Sequence, residues 1–223
     1  AKRHRFSDLF RGVYLRRTAF CGLFNLCQVT PLFAIYTFGP TILGAFGLGE
    51  GNASNLGLAL ISTVFVIGCL PALKLVDQIG RRPVIVWSFA LMVIPLGVLG
   101  GGEALPAAVV IVCFCAYAFF TGGPTVLEWT YPNELFPTDI RASAGGVATA
   151  VSRIGAAAGT FLLPISLDRI GLGPTMLIGT GITLVGWLVS VAWAEETRGR
   201  PLEETCAVPP STKSPGDPAA VTN

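Results

Sequence analysis

Charged residues are scarce in this sequence. They make up 13% of the 223 residues, whereas a soluble globular domain carries about 25%. Hydrophobic residues account for 52%, the mean hydropathy is +0.66, and the apolar residues fall into blocks of about 20, the length that crosses a bilayer. These features exclude a soluble enzyme, a nucleic-acid-binding domain and a disordered chain. The sequence predicts an all-α integral membrane protein.

Metal-binding and redox motifs are also missing. His4 is the single histidine, and the six cysteines include no C-x-x-C pair. Five cysteines lie inside apolar blocks, where cysteine behaves as a small hydrophobe. We therefore expect no metal site, no disulfide and no cofactor, and a membrane enzyme is a weak hypothesis.

Six apolar blocks predict six transmembrane helices, because a lipid-facing backbone must satisfy its hydrogen bonds internally. The predicted spans are 18–46, 55–76, 84–101, 105–131, 143–167 and 173–194. We expect residues 1–17 to form a linker and residues 195–223 a tail that is disordered after about residue 205. No internal repeat of 20–50 residues is visible.

The positive charges predict how the chain is oriented. Lysines and arginines cluster before the first span, around the turn between spans two and three (Lys74 at the end of span two included), between spans four and five, and after the last span; only Arg153 and Arg169 lie elsewhere. Cytoplasmic loops carry an excess of such cations. Both termini are therefore predicted on the cytoplasmic side of the plasma (cell inner) membrane.

The linker has apolar residues at helical spacing: Phe6, Leu9, Phe10, Val13 and Tyr14. This pattern predicts an amphipathic helix on the membrane surface. A solvated linker is the alternative interpretation.

Proline interrupts two of the spans. The first contains Pro31 and Gly39-Pro40, and the fourth contains residues 122–124 (Gly-Gly-Pro) and Pro132. Because proline removes a backbone donor and clashes with the preceding turn, both helices should kink or unwind there. Broken spans mark solute pathways in transporters; a packing kink is the simpler alternative.

Three polar side chains fall at membrane depth: Gln28, Glu128 and Arg153. A charge at the bilayer centre costs about 2.5–3.5 kcal/mol on insertion scales, so each needs a reason. Arg153 could form an ion pair with Glu128 that holds two helices together. Alternatively, Arg153 faces a cavity and binds a substrate carboxylate, with Glu128 as a proton carrier or charge partner.

Three charged segments resemble known motifs. Asp77-Gln-Ile-Gly-Arg-Arg-Pro83 resembles the D-x-x-G-R-R-P signature of the major facilitator superfamily. Glu134-Leu-Phe-Pro-Thr-Asp-Ile-Arg141 resembles the E-x-F-P-x-x-x-R loop of its sugar-porter branch, and Glu196-Thr-Arg-Gly199 is similar to the P-E-T-K-G end of that branch. The resemblance implies a fold of about twelve helices in two halves, of which these six correspond to the C-terminal half.

The same resemblance implies a gating role for charges on one membrane face. The residues concerned are Asp77, Gly80, Arg81, Arg82, Glu134, Arg141 and Glu196. Opposite charges can clamp helix ends together in one state and release them in another. The alternative is a set of solvated topology anchors, since exposed ion pairs contribute only about 0–1 kcal/mol each.

The resemblance also implies a partial sugar site. Gln28-Val-Thr30 is similar to the Q-L-S element of sugar porters, and Trp129 falls where they keep a stacking tryptophan. Their Asn-Trp pair is replaced by Ser152-Arg153, which is similar to proton-coupled carriers of organic acids. Arginine offers a forked double donor suited to carboxylates. The expected substrate-binding residues are Gln28, Thr30, Trp129 and Arg153.

The sequence therefore predicts a secondary active, proton-coupled transporter for a small polar metabolite, either a sugar or an organic acid. Its expected partners are the solute, the lipid bilayer and an N-terminal six-helix half that this sequence lacks, with no nucleic acid. We expect the chain alone not to transport. The alternative is a non-transporting membrane sensor or assembly subunit that keeps the fold, and a six-helix channel is disfavoured.

Overall fold

Six long helices form a bundle in the computed structural model, which describes residues 6–44, 53–101 and 105–198. Each is long and apolar enough to span a membrane, and the described residues contain no strand. The helices are α1 (Gly12–Leu43), α2 (Ala53–Gln78), α3 (Arg81–Leu99), α4 (Ala107–Leu135), α5 (Thr138–Ile170) and α6 (Leu172–Trp193). The predicted six-helix, all-α membrane fold is confirmed. The predicted disordered tail after about residue 205 lies outside the described residues.

The start of the chain differs from the prediction. Phe6–Phe10 form a five-residue 3-10 helix, and α1 begins at Gly12, before the predicted start of the first span. Leu9 is fully buried, and the ring of Tyr14 stacks on Phe136 with a centroid distance of 6.2 Å. An α-helix continuous over 6–14 is therefore wrong. Leu9 and Tyr14 pack against the end of the bundle, whereas Phe6 and Phe10 remain exposed.

Helix α1 lies at the centre of the bundle. It packs against α5, α6, α2 and α4, while α4 also contacts α2 and α3, and α3 contacts α6. Most of α1 is buried, whereas α2 and α5 expose most of their apolar side chains. Polar groups on α1 and α4 therefore have the protein interior around them.

The two proline-containing helices behave differently. In α1 the backbone leaves helical geometry at Phe38 (φ −108°, ψ 17°), directly before Gly39-Pro40, so the predicted kink is present. In contrast, α4 continues through Pro124 and Pro132 without unwinding. Close packing of α4 against α2 at Gly122, where a Cβ atom would lie 2.7 Å from the backbone of α2, holds this helix in place.

Glycines on α5 allow it to approach α1 closely. A Cβ atom added to Gly159 would lie 2.6 Å from the carbonyl oxygen of Thr30, closer than van der Waals contact permits. The obstacle is backbone, which cannot swing aside like a side chain. Small residues at such a position are the usual means of close helix packing in membranes.

Gly159→Ala is therefore expected to destabilise the bundle by about 1–3 kcal/mol, the usual cost of overpacking. Gly145→Ala is the matched control, because it lies on the same helix with nothing within 4 Å of an added Cβ. Thermal unfolding in detergent micelles measures both variants. Equal stability of the two variants would contradict the close packing of α1 on α5.

Candidate solute site and charged helix ends

Arg81 and Glu134 join the start of α3 to the end of α4. The Arg81 Nη2 atom lies 2.7 Å from Glu134 Oε1, and its Nε donates to Oε2 at 3.0 Å. Arg81 Nη1 also donates to the carbonyl of Val76 at 3.1 Å and lies 3.5 Å from Asp77 Oδ1. This forked pairing fixes orientation as well as distance.

Glu196, beyond the end of α6, binds the start of α3. Its carboxylate accepts the backbone N–H groups of Arg81 at 3.1 Å and Arg82 at 3.2 Å, and that of Arg198 at 2.9 Å. A negative charge at a helix N-terminus is favourable because the first N–H groups have no partner within the helix. Gly80 has a φ of +111°, and a Cβ there would lie 2.5 Å from Glu196 Oε2.

Gly80→Ala should therefore destabilise the protein in two ways, through backbone strain of about 1–3 kcal/mol and through displacement of the Glu196 carboxylate. Gly171→Ala separates the two effects, because Gly171 also has a positive φ (+84°) but open space around its added Cβ. We expect thermal unfolding to show a larger loss for Gly80→Ala. A loss no greater than that of Gly171→Ala would argue against a structural role for the Glu196 contact.

A second ion pair connects α1 to the segment after α6. Arg17 Nη2 lies 2.8 Å from Glu195 Oε2, and Arg17 Nη1 donates to the carbonyl of Leu135 at 2.9 Å. The hydroxyl of Tyr131 donates to the Glu195 carbonyl at 2.6 Å and accepts its N–H at 2.7 Å. The sequence analysis missed this pair; the only signal was an acidic residue where the motif carries proline.

Most of the predicted gating residues meet in one network. The contacts described above connect five of them: Asp77, Gly80, Arg81, Glu134 and Glu196. Arg82 adds a bond from its Nη2 to the carbonyl of Val191 at 3.1 Å. Arg141 lies apart: its Nε donates to the carbonyl of Phe136 at 3.3 Å, within the connection between α4 and α5. We call Arg17, Arg81, Glu134, Glu195 and Glu196 the charged end of the bundle.

Arg153 is exposed, and its guanidinium carbon lies 5.3 Å from the centre of the Phe33 ring. Within the described residues it forms no ion pair with Glu128, so the helix-joining pair considered from the sequence is not formed in this structure. Trp129 on α4 is also exposed. Both side chains are therefore accessible at the surface of the six-helix bundle.

Gln28 and Thr30 are buried instead. Gln28 Nε2 donates to Thr125 Oγ1 across the α1–α4 contact at 2.8 Å. The Thr30 hydroxyl donates to the carbonyl of Leu26, one turn earlier in α1, at 2.7 Å. The structure therefore divides the four predicted substrate-binding residues into an exposed pair and a buried pair.

Glu128 is buried, and its Oε1 atom has no hydrogen-bond partner among the described residues. The amide oxygens of Gln28 and Asn25 are likewise unpaired. Asn25 was missed by the sequence analysis, although an amide one turn before Gln28 was a readable signal. No cluster of three or more His, Cys, Asp or Glu suitable for a metal ion occurs among residues 6–44, 53–101 and 105–198.

Comparison with known proteins agrees with the architecture. Residues 1–208 match the family described as "Sugar (and other) transporter". The chain is 49% identical over 201 residues to the putative metabolite transport protein YaaU of Escherichia coli K12, an alignment covering 90% of the chain and 45% of that protein. It is 36% identical to the inner membrane metabolite transport protein YgcS of the same organism, covering 87% of the chain and 43% of that protein.

The arabinose-proton symporter of Bacillus subtilis is 32% identical, with 82% of the chain and 39% of that protein covered. The chain thus spans less than half the length of these curated relatives. The relatives are named for transport, and none of them is named as an enzyme. The chain belongs to the sugar transporter family, the sugar porters of the major facilitator superfamily.

Proposed function

We propose that this chain forms the C-terminal half of a secondary active transporter for a small polar metabolite that carries a carboxylate. The transporter would lie in the plasma membrane with both chain ends in the cytoplasm, as the distribution of cations suggests. Family membership supports transport of a small solute. The short coverage of the relatives supports the need for an N-terminal half of six further helices.

The exposed, unpaired Arg153 carries the proposal of a carboxylated solute. A cation at membrane depth is costly without a partner, and the ring of Phe33 offers only a weak one at 5.3 Å. A solute carboxylate would supply two parallel hydrogen bonds to the guanidinium fork. Trp129, also exposed, is available to stack on the solute.

The charged end is proposed to act as the cytoplasmic gate. Its ion pairs join α1 to the segment after α6 and α3 to α4, and a backbone hydrogen bond to Glu196 joins α3 to that segment. Alternating access requires these ends to separate in one state and to meet in the other, and a set of discrete pairs provides two such states. Gln28 and Thr30 would meet the solute only after α1 moves against α4 and α5.

Proton coupling is proposed to act through Glu128. It is the one acidic side chain of α4 in the membrane interior, since Glu134 belongs to the charged end. The arabinose-proton symporter among the relatives supports a proton-coupled mechanism.

The proposal is tested by solute uptake into proteoliposomes. This chain would be reconstituted alone and together with the N-terminal half of the YaaU protein, and labelled carboxylates and neutral sugars would be offered. We expect flux only when both halves are present. Flux from this chain alone would contradict the half-transporter proposal, and solute binding without flux would favour a sensor that keeps the fold.

A further inference from the structure

One face of α4 carries polar side chains toward α1. Four polar residues of α4 are spaced three or four positions apart and therefore share one side of the helix. They are Thr121, Thr125, Glu128 and Tyr131. Two of them touch α1: Thr125 accepts a hydrogen bond from Gln28, and the ring of Tyr131 lies 5.6 Å from that of Phe20. Glu128, between these two contacts, therefore faces α1 as well.

The register of the two helices brings Asn25 to the level of Glu128. The two helices are antiparallel, because positions 20 and 28 of α1 contact positions 131 and 125 of α4. One turn from Gln28 toward the charged end leads to Asn25, and one turn from Thr125 in the same direction leads to Glu128. Both side chains are buried, with 1% and 8% exposed.

Within the part of the chain that the structure describes, three oxygen atoms at this level have no hydrogen-bond partner: Asn25 Oδ1, Gln28 Oε1 and Glu128 Oε1. All three can accept a hydrogen bond, and one N–H of the Gln28 amide is donated to Thr125. Buried acceptors are normally paired, because leaving them unpaired forfeits the hydrogen bonds they made with water. A protonated carboxyl at Glu128 would supply a donor for one of the two amide oxygens.

We propose that Asn25, Gln28 and Glu128 form a proton-binding site, in which the protonated carboxyl of Glu128 donates its hydrogen to an amide oxygen of Asn25 or Gln28. The inference rests on the proposed function and specifies how its coupling ion is bound. Hydronium transfers a proton to the Glu128 carboxylate and leaves as water; release returns the proton to water. No other group changes oxidation state or bonding.

The charges around Glu128 favour a proton over a metal ion. In their middle portions, between the charged end and the opposite helix ends, the described helices that pack against α4 carry one charged side chain. It is Arg153 on α5. The nearest other titratable groups on α1 and α4 are the thiol of Cys21 and the hydroxyl of Tyr131, which is bonded to Glu195. The side chain of Cys27 points instead toward Gly186 on α6. A single carboxylate beside a fixed cation is a poor cage for a second cation.

The site links protonation to the packing of α1 on α4. A neutral Glu128 completes the contact between the two helices. An ionised Glu128 could no longer donate a hydrogen bond to either amide oxygen and would be attracted by the positive charge of Arg153 on the neighbouring helix α5. Proton loss would thus loosen the packing of α1 on α4. The ionised Glu128 carboxylate would also compensate the positive charge of Arg153, which we assign to the solute carboxylate, so that the proton and the solute leave together.

Infrared spectroscopy of this chain in lipid nanodiscs tests the site without requiring transport. We expect a protonated-carboxyl C=O band that disappears as pH rises, is missing in Glu128→Gln and persists in Asp168→Asn, which removes an exposed carboxylate of α5. In Asn25→Leu, or in Gln28→Met if that variant does not fold, the band should shift because an acceptor is lost. A band unaffected by Glu128→Gln or by both acceptor variants would overturn the site, as would a band that depends on sodium.

Transport by the complete carrier distinguishes this inference from the proposed function. Glu128→Gln should retain exchange of labelled for unlabelled solute but lose accumulation driven by a proton gradient. Gradient-driven accumulation that persists in Glu128→Gln would overturn the proton site and leave carboxylate transport standing. Failure of the unsubstituted carrier to move any carboxylate would instead overturn the proposed function, while the infrared result would still decide the proton site.

Discussion

Arg153→Gln is expected to reduce uptake of carboxylated solutes relative to neutral ones by about tenfold to a hundredfold in the complete carrier. The reason is that a hydrogen bond to a charged group contributes about 1.5–3 kcal/mol, and about 1.4 kcal/mol corresponds to a factor of ten. Glutamine keeps a hydrogen-bond donor but loses the charge and the fork. Initial uptake rates for paired carboxylated and neutral solutes measure the effect.

Two further variants make this result specific. Arg153→Lys keeps the charge but not the planar fork, so it should give an intermediate preference. Arg169→Gln removes an exposed cation from the last turn of the same helix and should leave the preference unchanged. If Arg153→Gln transports carboxylates as well as the unsubstituted carrier, Arg153 has only a structural role.

Glu195→Ala is expected to lower the free energy of unfolding by about 1.5–3 kcal/mol, the contribution of hydrogen bonds to a charged group. The variant leaves the guanidinium of Arg17 buried, with only the Leu135 carbonyl as a partner. The loss should remain below the about 3–5 kcal/mol of a fully buried pair, because 35% of the Glu195 side chain is exposed. Chemical or thermal unfolding in micelles provides the measurement.

Arg16→Ala is the neighbouring control. Arg16 precedes Arg17 in the chain, is exposed, and donates one hydrogen bond, to the carbonyl of Ala192 at 3.2 Å. Its removal should change stability by less than about 0.5 kcal/mol, as for most surface substitutions. Equal effects of Arg16→Ala and Glu195→Ala would show that the charged end is not held by the Arg17–Glu195 pair.

Much of the fold was readable from the sequence because hydropathy and helix length are local properties. Six apolar blocks became six helices, and the motif residues Arg81, Glu134 and Glu196 came into contact. The kink before Gly39-Pro40 was also predictable, because proline acts on its own helix. The uninterrupted α4 was not, since packing against neighbouring helices outweighed the local effect of Pro124.

The missed features depend on contacts between distant parts of the chain. Arg17 and Glu195 are 178 positions apart, so their pairing requires the packed bundle. Likewise, Asn25 gains significance only from the register between α1 and α4, which brings it to the level of Glu128. The burial of Gln28 also follows from that contact and could not be read from its position in a span.

The central claim is that Arg153 binds a solute carboxylate. Comparing the accumulation of glucuronate with that of glucose tests it most directly, because the two solutes differ only in a carboxylate in place of a terminal hydroxymethyl group. The measurement would use proteoliposomes that contain this chain and the N-terminal half of the YaaU protein, with the proton gradient directed inward. We predict that labelled glucuronate accumulates and glucose does not. Accumulation of glucose with exclusion of glucuronate would contradict the assignment of Arg153 to a solute carboxylate.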